Sequence, residues 1–154
     1  MIETSTIDGT FDEIEVGTKY RSPGRTMTEA DVVNFCMLTG NWLEVHSNAE
    51  FSKKTRFGQR LVQGSLVFSV IPGLLRFGPS VAAFYGVDKL RFLNPVFIGD
   101  TIWVEAEVVR KKEKDDKFGV TTVLFKTVNQ RGETTQQSEF SVLMIRRRED
   151  IPKP

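Results

Sequence analysis

The stretch QGSLVFSVIPGLL, residues 63–75, decides the fold. From Leu66 to Leu75 it is apolar on nearly every face of a helix, and such a helix must be buried on all sides. As a strand the run would be too long and would lack alternation. Pro72 lies inside the pattern and is predicted to kink the helix or to end it nearby. The stretch therefore predicts a buried central helix that the rest of the chain has to cover.

Downstream of this helix the apolar residues recur at every second position, which is typical of half-buried strands. An extended segment and three strands are predicted, over residues 81–93, 102–108, 123–127 and 140–144. A charged loop is expected over 111–117. A hairpin turn is expected over 129–132, where Gly132 can adopt a positive φ.

Upstream, residues 28–39 are predicted to form a short amphipathic helix. Thr28 is placed as its N-cap, Asp31 as the capping-box partner and Gly40 as the C-cap. Residues 41–60 have no clean period and are expected to form a polar loop.

One short helical turn is expected within that loop, around residues 49–54. Helices thus lead and an antiparallel sheet follows, which is an α+β plan. We predict a single domain over residues 1–154, in which the sheet wraps around the central helix.

The charge balance argues against several kinds of partner. Lys and Arg number 21, and Asp and Glu number 20, so the basic surplus that nucleic acid requires is missing. Residues 1–10 do not resemble a signal peptide, and no apolar run is long enough to span a bilayer. We therefore expect a soluble, cytoplasmic protein without a nucleic-acid or membrane partner.

Neither a cofactor nor a disulfide is expected. The single cysteine, Cys36, cannot form an internal disulfide, and we interpret it as a core residue of the first helix. One histidine and one cysteine cannot build a zinc site. The chain also lacks the glycine patterns of phosphate loops and dinucleotide-binding turns.

His46 is the only histidine in the chain and lies in the polar loop. A single loop histidine is most often a surface or hydrogen-bonded residue. Three features favour a functional interpretation. An amide residue, Asn41, precedes it at a short interval, the start of the buried helix follows it, and that start carries Gly64, where backbone can approach a ligand closely.

Gly64 could serve the chemistry through its backbone. The first N–H groups of a helix lack intrahelical partners and carry partial positive charge. Aimed at a thioester carbonyl, the N–H of Gly64 or Ser65 would stabilise the enolate oxygen that forms when a nucleophile adds to the conjugated double bond. Alternatively, Gly64 only lets helix and sheet pack closely, and the spacing leaves both interpretations open.

Four segments, in order along nearly the whole chain, match one family pattern. They are GRTMTEADV (24–32), LTGNWLEVH (38–46), the run from FG to VQG (57–64) and FLNPVFIGDT (92–101). Together they resemble the MaoC-like dehydratases of the (R)-specific enoyl-CoA hydratase kind.

This resemblance implies a hot-dog fold, a long central helix wrapped by an antiparallel sheet, which agrees with the α+β prediction. It implies pairing of sheets edge to edge, so we expect a homodimer or a dimer of dimers. It also implies an acyl-CoA thioester as substrate, with hydration of trans-2-enoyl-CoA to (R)-3-hydroxyacyl-CoA.

The resemblance also implies roles for particular residues. The catalytic histidine of the family matches His46, and the backbone N–H that binds the thioester oxygen matches Gly64. The aspartate that helps to activate water matches Asn41. An amide can orient water but cannot accept its proton, so the catalytic motif departs from the family pattern at this position.

Trp42, Glu44 and Ser65 adjoin these positions and are expected to contact the substrate. Glu44 could also replace the missing aspartate as a base. One general acid–base group typically accelerates a reaction by a factor of about 10²–10⁴. Slow hydration is therefore possible without the aspartate.

Two other functions stay open, an acyl-CoA-binding protein without catalysis and an acyl-CoA thioesterase. Loss of enoyl absorbance without release of thiol would mark a hydratase. Release of the CoA thiol would mark a thioesterase, and binding with neither change would mark a binding protein.

Overall fold

The computed structural model describes residues 1–153. The helices of this part of the chain are α1 (Glu29–Thr39), α2 (Glu44–Ser47), α3 (Ala49–Lys53) and α4 (Gly64–Leu74). Its strands are β1 (Ile2–Glu3), β2 (Thr6–Ile7), β3 (Lys19–Arg21), β4 (Arg25–Thr26), β5 (Arg76–Phe77), β6 (Val81–Phe92), β7 (Thr101–Glu113), β8 (Phe118–Asn129) and β9 (Thr134–Ile145). A 3-10 turn follows at Arg148–Asp150.

The main sheet has the strand order β1–β3–β7–β8–β9–β6, and β4 also pairs with β7. β1 and β3 are parallel, and the other pairs of this sheet are antiparallel. β2 and β5 form a separate two-stranded parallel sheet. Few helices and a mainly antiparallel sheet confirm the α+β prediction.

The core forms because the strands alternate as predicted. On β7, Ile102 and Val104 are fully buried, whereas Trp103 between them is only partly buried. Ile71 of α4 packs in the same buried cluster as Val104 and Phe140 of β9. Full burial of one such side chain contributes roughly 1.5–3 kcal/mol, so these contacts hold the helix against the sheet.

Helix α1 has the predicted caps. The Thr28 side chain accepts a hydrogen bond from the Asp31 backbone, and the Asp31 side chain accepts one from the Thr28 backbone. Gly40 ends the helix with a φ of 71°, a conformation that favours glycine. Val32 and Cys36 face inward and are buried, which confirms Cys36 as a core residue.

Helix α4 occupies the predicted residues, but it is neither long nor buried on all sides. It has 11 residues, which corresponds to about 16 Å. Ser65, Ser69 and Pro72 are exposed and lie on one stripe of the helix. Pro72 falls in the last turn, and the helix ends two residues later at Leu74.

The expected order, with helices first and the sheet afterwards, is wrong for the N-terminal region. β3 and β4 precede α1 and pair with β7, so part of the sheet comes before the first helix. These strands have three and two residues. A strand of this length is too short for alternation to be visible in the sequence.

Two boundaries in the later chain also differ. β7 continues to Glu113, so the charged loop expected over 111–117 is a shorter turn before β8. Gly132 adopts a φ of 77° in the turn between β8 and β9, as predicted. Among residues 1–153, the helices are all too short or too polar to cross a membrane.

Candidate active site

His46 lies on α2, a short helix that the sequence pattern did not predict. α2 has four residues, and its N-cap, Leu43, makes no side-chain capping bond, so neither periodicity nor a cap marks it in the sequence. The one helical turn that we expected in this loop corresponds to α3.

Backbone contacts fix the orientation of the His46 ring. Its Nδ1 atom lies 2.9 Å from the carbonyl oxygen of Leu61. Because a carbonyl oxygen can only accept, Nδ1 carries the hydrogen in this bond, and Nε2 of the neutral ring keeps a lone pair. The contact therefore leaves Nε2 as the proton acceptor of the ring.

The segment that holds this carbonyl is tied to both sides of the site. The Leu61 amide donates to the Val45 carbonyl at 3.0 Å, and the Val62 amide donates to the Val96 carbonyl at 2.9 Å. Ser52 is fully buried, and its hydroxyl donates to the same Val45 carbonyl at 3.2 Å. Helix α2 is thus anchored to the residues that lead directly into α4.

Gly64 is the first residue of α4, and a close contact accounts for the glycine. A Cβ atom at this position would lie 2.9 Å from two ring carbons of Phe92, which is closer than van der Waals contact allows. The amides of Gly64 and Ser65 have no acceptor within residues 1–153. Close packing and a free N–H therefore occur at the same residue.

Gln63 anchors the start of α4 to α1. Its side chain is fully buried, and its Nε2 donates to the Val32 carbonyl at 3.2 Å and to Cys36 Sγ at 3.1 Å. These contacts hold the first turn of α4, with its free amides, in a fixed position beside α1.

A cavity of about 500 Å³ connects the histidine with the helix start. His46, Gly64 and Ser65 all line it. The remaining wall is mostly apolar with a few polar groups, as in many small-molecule sites. Within residues 1–153, no three His, Cys, Asp or Glu side chains come together as ligands for a metal ion.

The other three predicted site residues do not line this cavity, although Glu44 lies on α2 together with His46. Trp42 is 52% exposed. Glu44 accepts a hydrogen bond from Asn48 Nδ2 at 3.1 Å. The Asn41 side chain makes no hydrogen bond to the described residues, so its amide is free to bind a water.

Several lining residues were not predicted from the sequence. They are Arg56, Phe57, Phe92, Asn94 and Thr135. Phe92 ends β6 and Thr135 lies on β9, so only the fold brings them to His46. Arg56 carried a weak signal, because it belongs to the basic part of the loop.

Asp100 fixes the wall segment that precedes β7. Arg131 donates two hydrogen bonds to its carboxylate, at 2.7 and 2.9 Å, and the Phe97 amide donates a third at 2.9 Å. Burial opposes the charge of Asp100, but the bonds from Arg131, Phe97 and Gln130 outweigh it and lower the pKa of Asp100 below its usual value.

The chain belongs to the MaoC-like family, because the family model described as MaoC like domain matches residues 12–129. It is 38% identical over 109 residues to protein MaoC of Klebsiella aerogenes, covering 70% of this chain but only 32% of that protein. It therefore spans about a third of that relative. It is also 33% identical over 113 residues to an (R)-specific enoyl-CoA hydratase of Aeromonas caviae, covering 73% and 84% of the two chains.

Solved structures confirm the hot-dog fold. A protein described as a monoamine oxidase regulatory protein of Archaeoglobus fulgidus superposes with a TM-score of 0.85 and 39% identity, over 96% of this chain and 99% of that one. A Mycobacterium tuberculosis protein described as a double hot dog superposes with a TM-score of 0.81 and 20% identity, over 94% of this chain and 46% of that one.

Proposed function

We propose that this protein hydrates trans-2-enoyl-CoA thioesters to (R)-3-hydroxyacyl-CoA. The observation that carries the proposal is one cavity in which His46, with a free Nε2, meets the unpaired amides of Gly64 and Ser65. The similarity to the Aeromonas caviae protein, which is named as an (R)-specific enoyl-CoA hydratase, supports the same reaction.

In the proposed reaction, the Gly64 amide donates to the thioester carbonyl oxygen. His46 Nε2 takes a proton from water, and the water oxygen bonds to C3 while the double-bond electrons move to give an enolate. The helix N-terminus stabilises the negative oxygen. The imidazolium then returns the proton to C2, so one water is added and His46 regains its neutral form.

Asn41, Trp42 and Glu44 are proposed in supporting roles. Asn41 would orient the water at the edge of the cavity, because its amide can donate and accept hydrogen bonds. The exposed Trp42 ring and Glu44 would contact the part of the substrate outside the cavity, and Glu44 is the alternative base. Ser65 would contact the substrate within the cavity.

The proposal is tested with crotonyl-CoA, by following enoyl absorbance, thiol release and the configuration of the product. We expect loss of absorbance without free thiol and formation of the (R)-hydroxy product. His46→Gln should lower kcat by about a hundredfold or more, and Lys54→Gln, at an exposed position outside the cavity wall, serves as the control. Wild-type turnover by His46→Gln would contradict the assignment.

A second candidate is an acyl-CoA-binding protein without catalysis. It is favoured by the position of Asn41 and Glu44 outside the cavity wall, which leaves His46 as the only acid–base group on that wall. Binding of crotonyl-CoA without loss of enoyl absorbance or release of thiol would support this candidate. Thiol release would instead support a thioesterase.

We further propose a homodimer that forms through β6. This strand has 12 residues and lies at one edge of the described sheet. Phe84 and Tyr85 on it are 54% and 57% exposed. A long apolar edge strand is prone to pairing, and a second copy would cover it by extending the sheet. We propose that this dimer works in the cytoplasm.

A further inference from the structure

Arg56 lies on the wall of the cavity and forms no ion pair with the rest of residues 1–153. Two neighbouring basic residues differ in this respect, because Arg60 pairs with Glu29 and Lys53 pairs with Glu50. Lys54 also forms no ion pair within residues 1–153, but it does not line the cavity. A cation that faces a largely apolar cavity without a carboxylate partner is positioned for an anion from outside the chain.

The Arg56 side chain is exposed, and its one described side-chain contact is with a neighbouring ring. Its guanidinium carbon lies 4.8 Å from the centre of the Phe57 ring, and Phe57 lines the same cavity. Stacking on a ring uses the face of the guanidinium and leaves the N–H edge free. That edge presents a fork of donors that matches a carboxylate or a phosphate.

We propose that Arg56 binds an anionic group of the thioester substrate and makes the protein select charged thioesters over uncharged ones. This inference rests on the proposed function and specifies its substrate class. The anion has two possible sources, a carboxylate on the acyl chain or a phosphate of CoA.

The distance of each anion from the thioester favours the carboxylate as the ligand of Arg56. An extended pantetheine arm places the phosphorus roughly 16 Å from the thioester sulfur, by standard bond lengths. Arg56 lines the same cavity as His46 and Gly64, where the proposed reaction places the thioester. A carboxylate at the end of a short acyl chain stays within that cavity, whereas an extended pantetheine arm carries the phosphate away from it.

The test uses three trans-2-enoyl thioesters that differ in charge. Crotonyl-N-acetylcysteamine carries no anion, glutaconyl-N-acetylcysteamine carries a carboxylate only, and crotonyl-CoA carries phosphates only. KM and kcat are measured for the wild type, for Arg56→Gln and for Lys54→Gln. Lys54 is exposed and does not line the cavity, so its variant controls for general loss of positive charge.

We expect Arg56→Gln to raise KM for the glutaconyl thioester by about tenfold, which corresponds to roughly 1.4 kcal/mol of binding. KM for crotonyl-N-acetylcysteamine, kcat for all three substrates and the Lys54→Gln constants should hardly change. A rise confined to crotonyl-CoA would also support an anion site and identify the phosphate as its ligand. Equal changes for all three thioesters, or the same changes in Lys54→Gln, would overturn the proposal.

Failure of the proposed hydratase function can be distinguished from failure of the anion site. If the wild type hydrates none of the three thioesters, the hydratase assignment falls, and the anion site is then tested by calorimetric Kd values for the same ligands. A Kd that rises in Arg56→Gln only for the charged thioesters supports the site. Kd values that Arg56→Gln leaves unchanged reject it.

Discussion

His46 has one ring nitrogen available to a substrate, because Nδ1 is bonded to the Leu61 carbonyl. One nitrogen is enough for hydration, since the proton taken from water can be returned to C2 by the same atom. A positioned acid–base group typically contributes about 10²–10⁴ in rate. A slow hydratase that relies on His46 and the α4 amides is therefore physically reasonable.

At position 41, the family resemblance implies an aspartate where this chain has Asn41. We expect Asn41→Asp to raise kcat for crotonyl-CoA by about tenfold, a small share of what one acid–base group contributes. The two side chains are nearly the same size, so packing should be preserved, and only the aspartate can accept a proton. Enoyl absorbance measures the effect.

Asn41→Ala is the matched control, because it removes the amide without adding a base. If Asn41→Asp leaves kcat unchanged, position 41 lies outside the reacting site, in agreement with its absence from the cavity wall. Glu44→Gln should then be tested as the change that damages activity.

At Gly64, we expect substitution by alanine to lower kcat/KM by at least about tenfold, because a misplaced oxyanion donor is costly. The added methyl would lie 2.9 Å from the Phe92 ring, so the ring has to move and the cavity changes shape. Phe92→Leu in the Gly64→Ala background should recover part of the loss. Wild-type kinetics for Gly64→Ala would show that this contact does not shape the site.

The Asp100–Arg131 pair joins the segment before β7 to the turn between β8 and β9. Because the pKa of Asp100 is lowered on folding, its stabilisation is full above the unfolded value, roughly pH 4. It is lost as the pH falls through the lower folded value. The pair therefore links the stability of this wall segment to pH in the acidic range.

We expect Asp100→Asn to cost about 2 kcal/mol at pH 7, as for lost hydrogen bonds to a charged group. This lowers Tm by roughly 4–8 °C for a chain of this length. The difference from the wild type should shrink below pH 4, as the wild-type carboxylate is protonated. Thermal unfolding at several pH values measures both effects.

Asp150→Asn is the control, since Asp150 is exposed in the 3-10 turn rather than on β6 and forms no ion pair within residues 1–153. A Tm difference for Asp100→Asn that stays constant from pH 7 to pH 3 would contradict the role of the charge.

Elements with a strong local signal could be predicted from the sequence. The α1 caps, the apolar run of α4 and the alternation on β7, β8 and β9 all rest on neighbouring residues, and all are confirmed. β3, β4 and α2 have two to four residues and owe their form to pairing and backbone contacts. Such contacts depend on distant parts of the chain and leave no period in the sequence.

The residues of the candidate site also fall into those that the local sequence predicts and those that only the fold brings together. His46 and Gly64 could be proposed from the sequence, because the adjacent residues indicate a polar loop around His46 and a helix start at Gly64. Phe92 and Thr135 come to the cavity from β6 and β9. Their presence depends on strand register, which a single sequence does not determine.

For the whole molecule, the open edge at β6 is the feature that association would change. In a two-fold dimer the same patch meets itself, so each copy of β6 would cover the other. Phe92 connects this edge with the cavity, because it ends β6 and also contacts Gly64. Dimer formation through β6 would therefore hold one wall of the site in place.

We expect Ala83→Lys to convert the dimer into a monomer. Ala83 is exposed on β6, and in a two-fold interface one substitution introduces two like charges on facing strands, which disfavours pairing. Light scattering at micromolar concentration measures the mass. Ala49→Lys adds the same charge to an exposed position on α3 and should leave the dimer intact.

A wild-type protein that is already monomeric would contradict the proposed dimer, and an Ala83→Lys dimer would show that the copies associate through another surface. If the β6 interface holds Phe92 in place, crotonyl-CoA hydration should fall together with the mass in Ala83→Lys and should stay unchanged in Ala49→Lys.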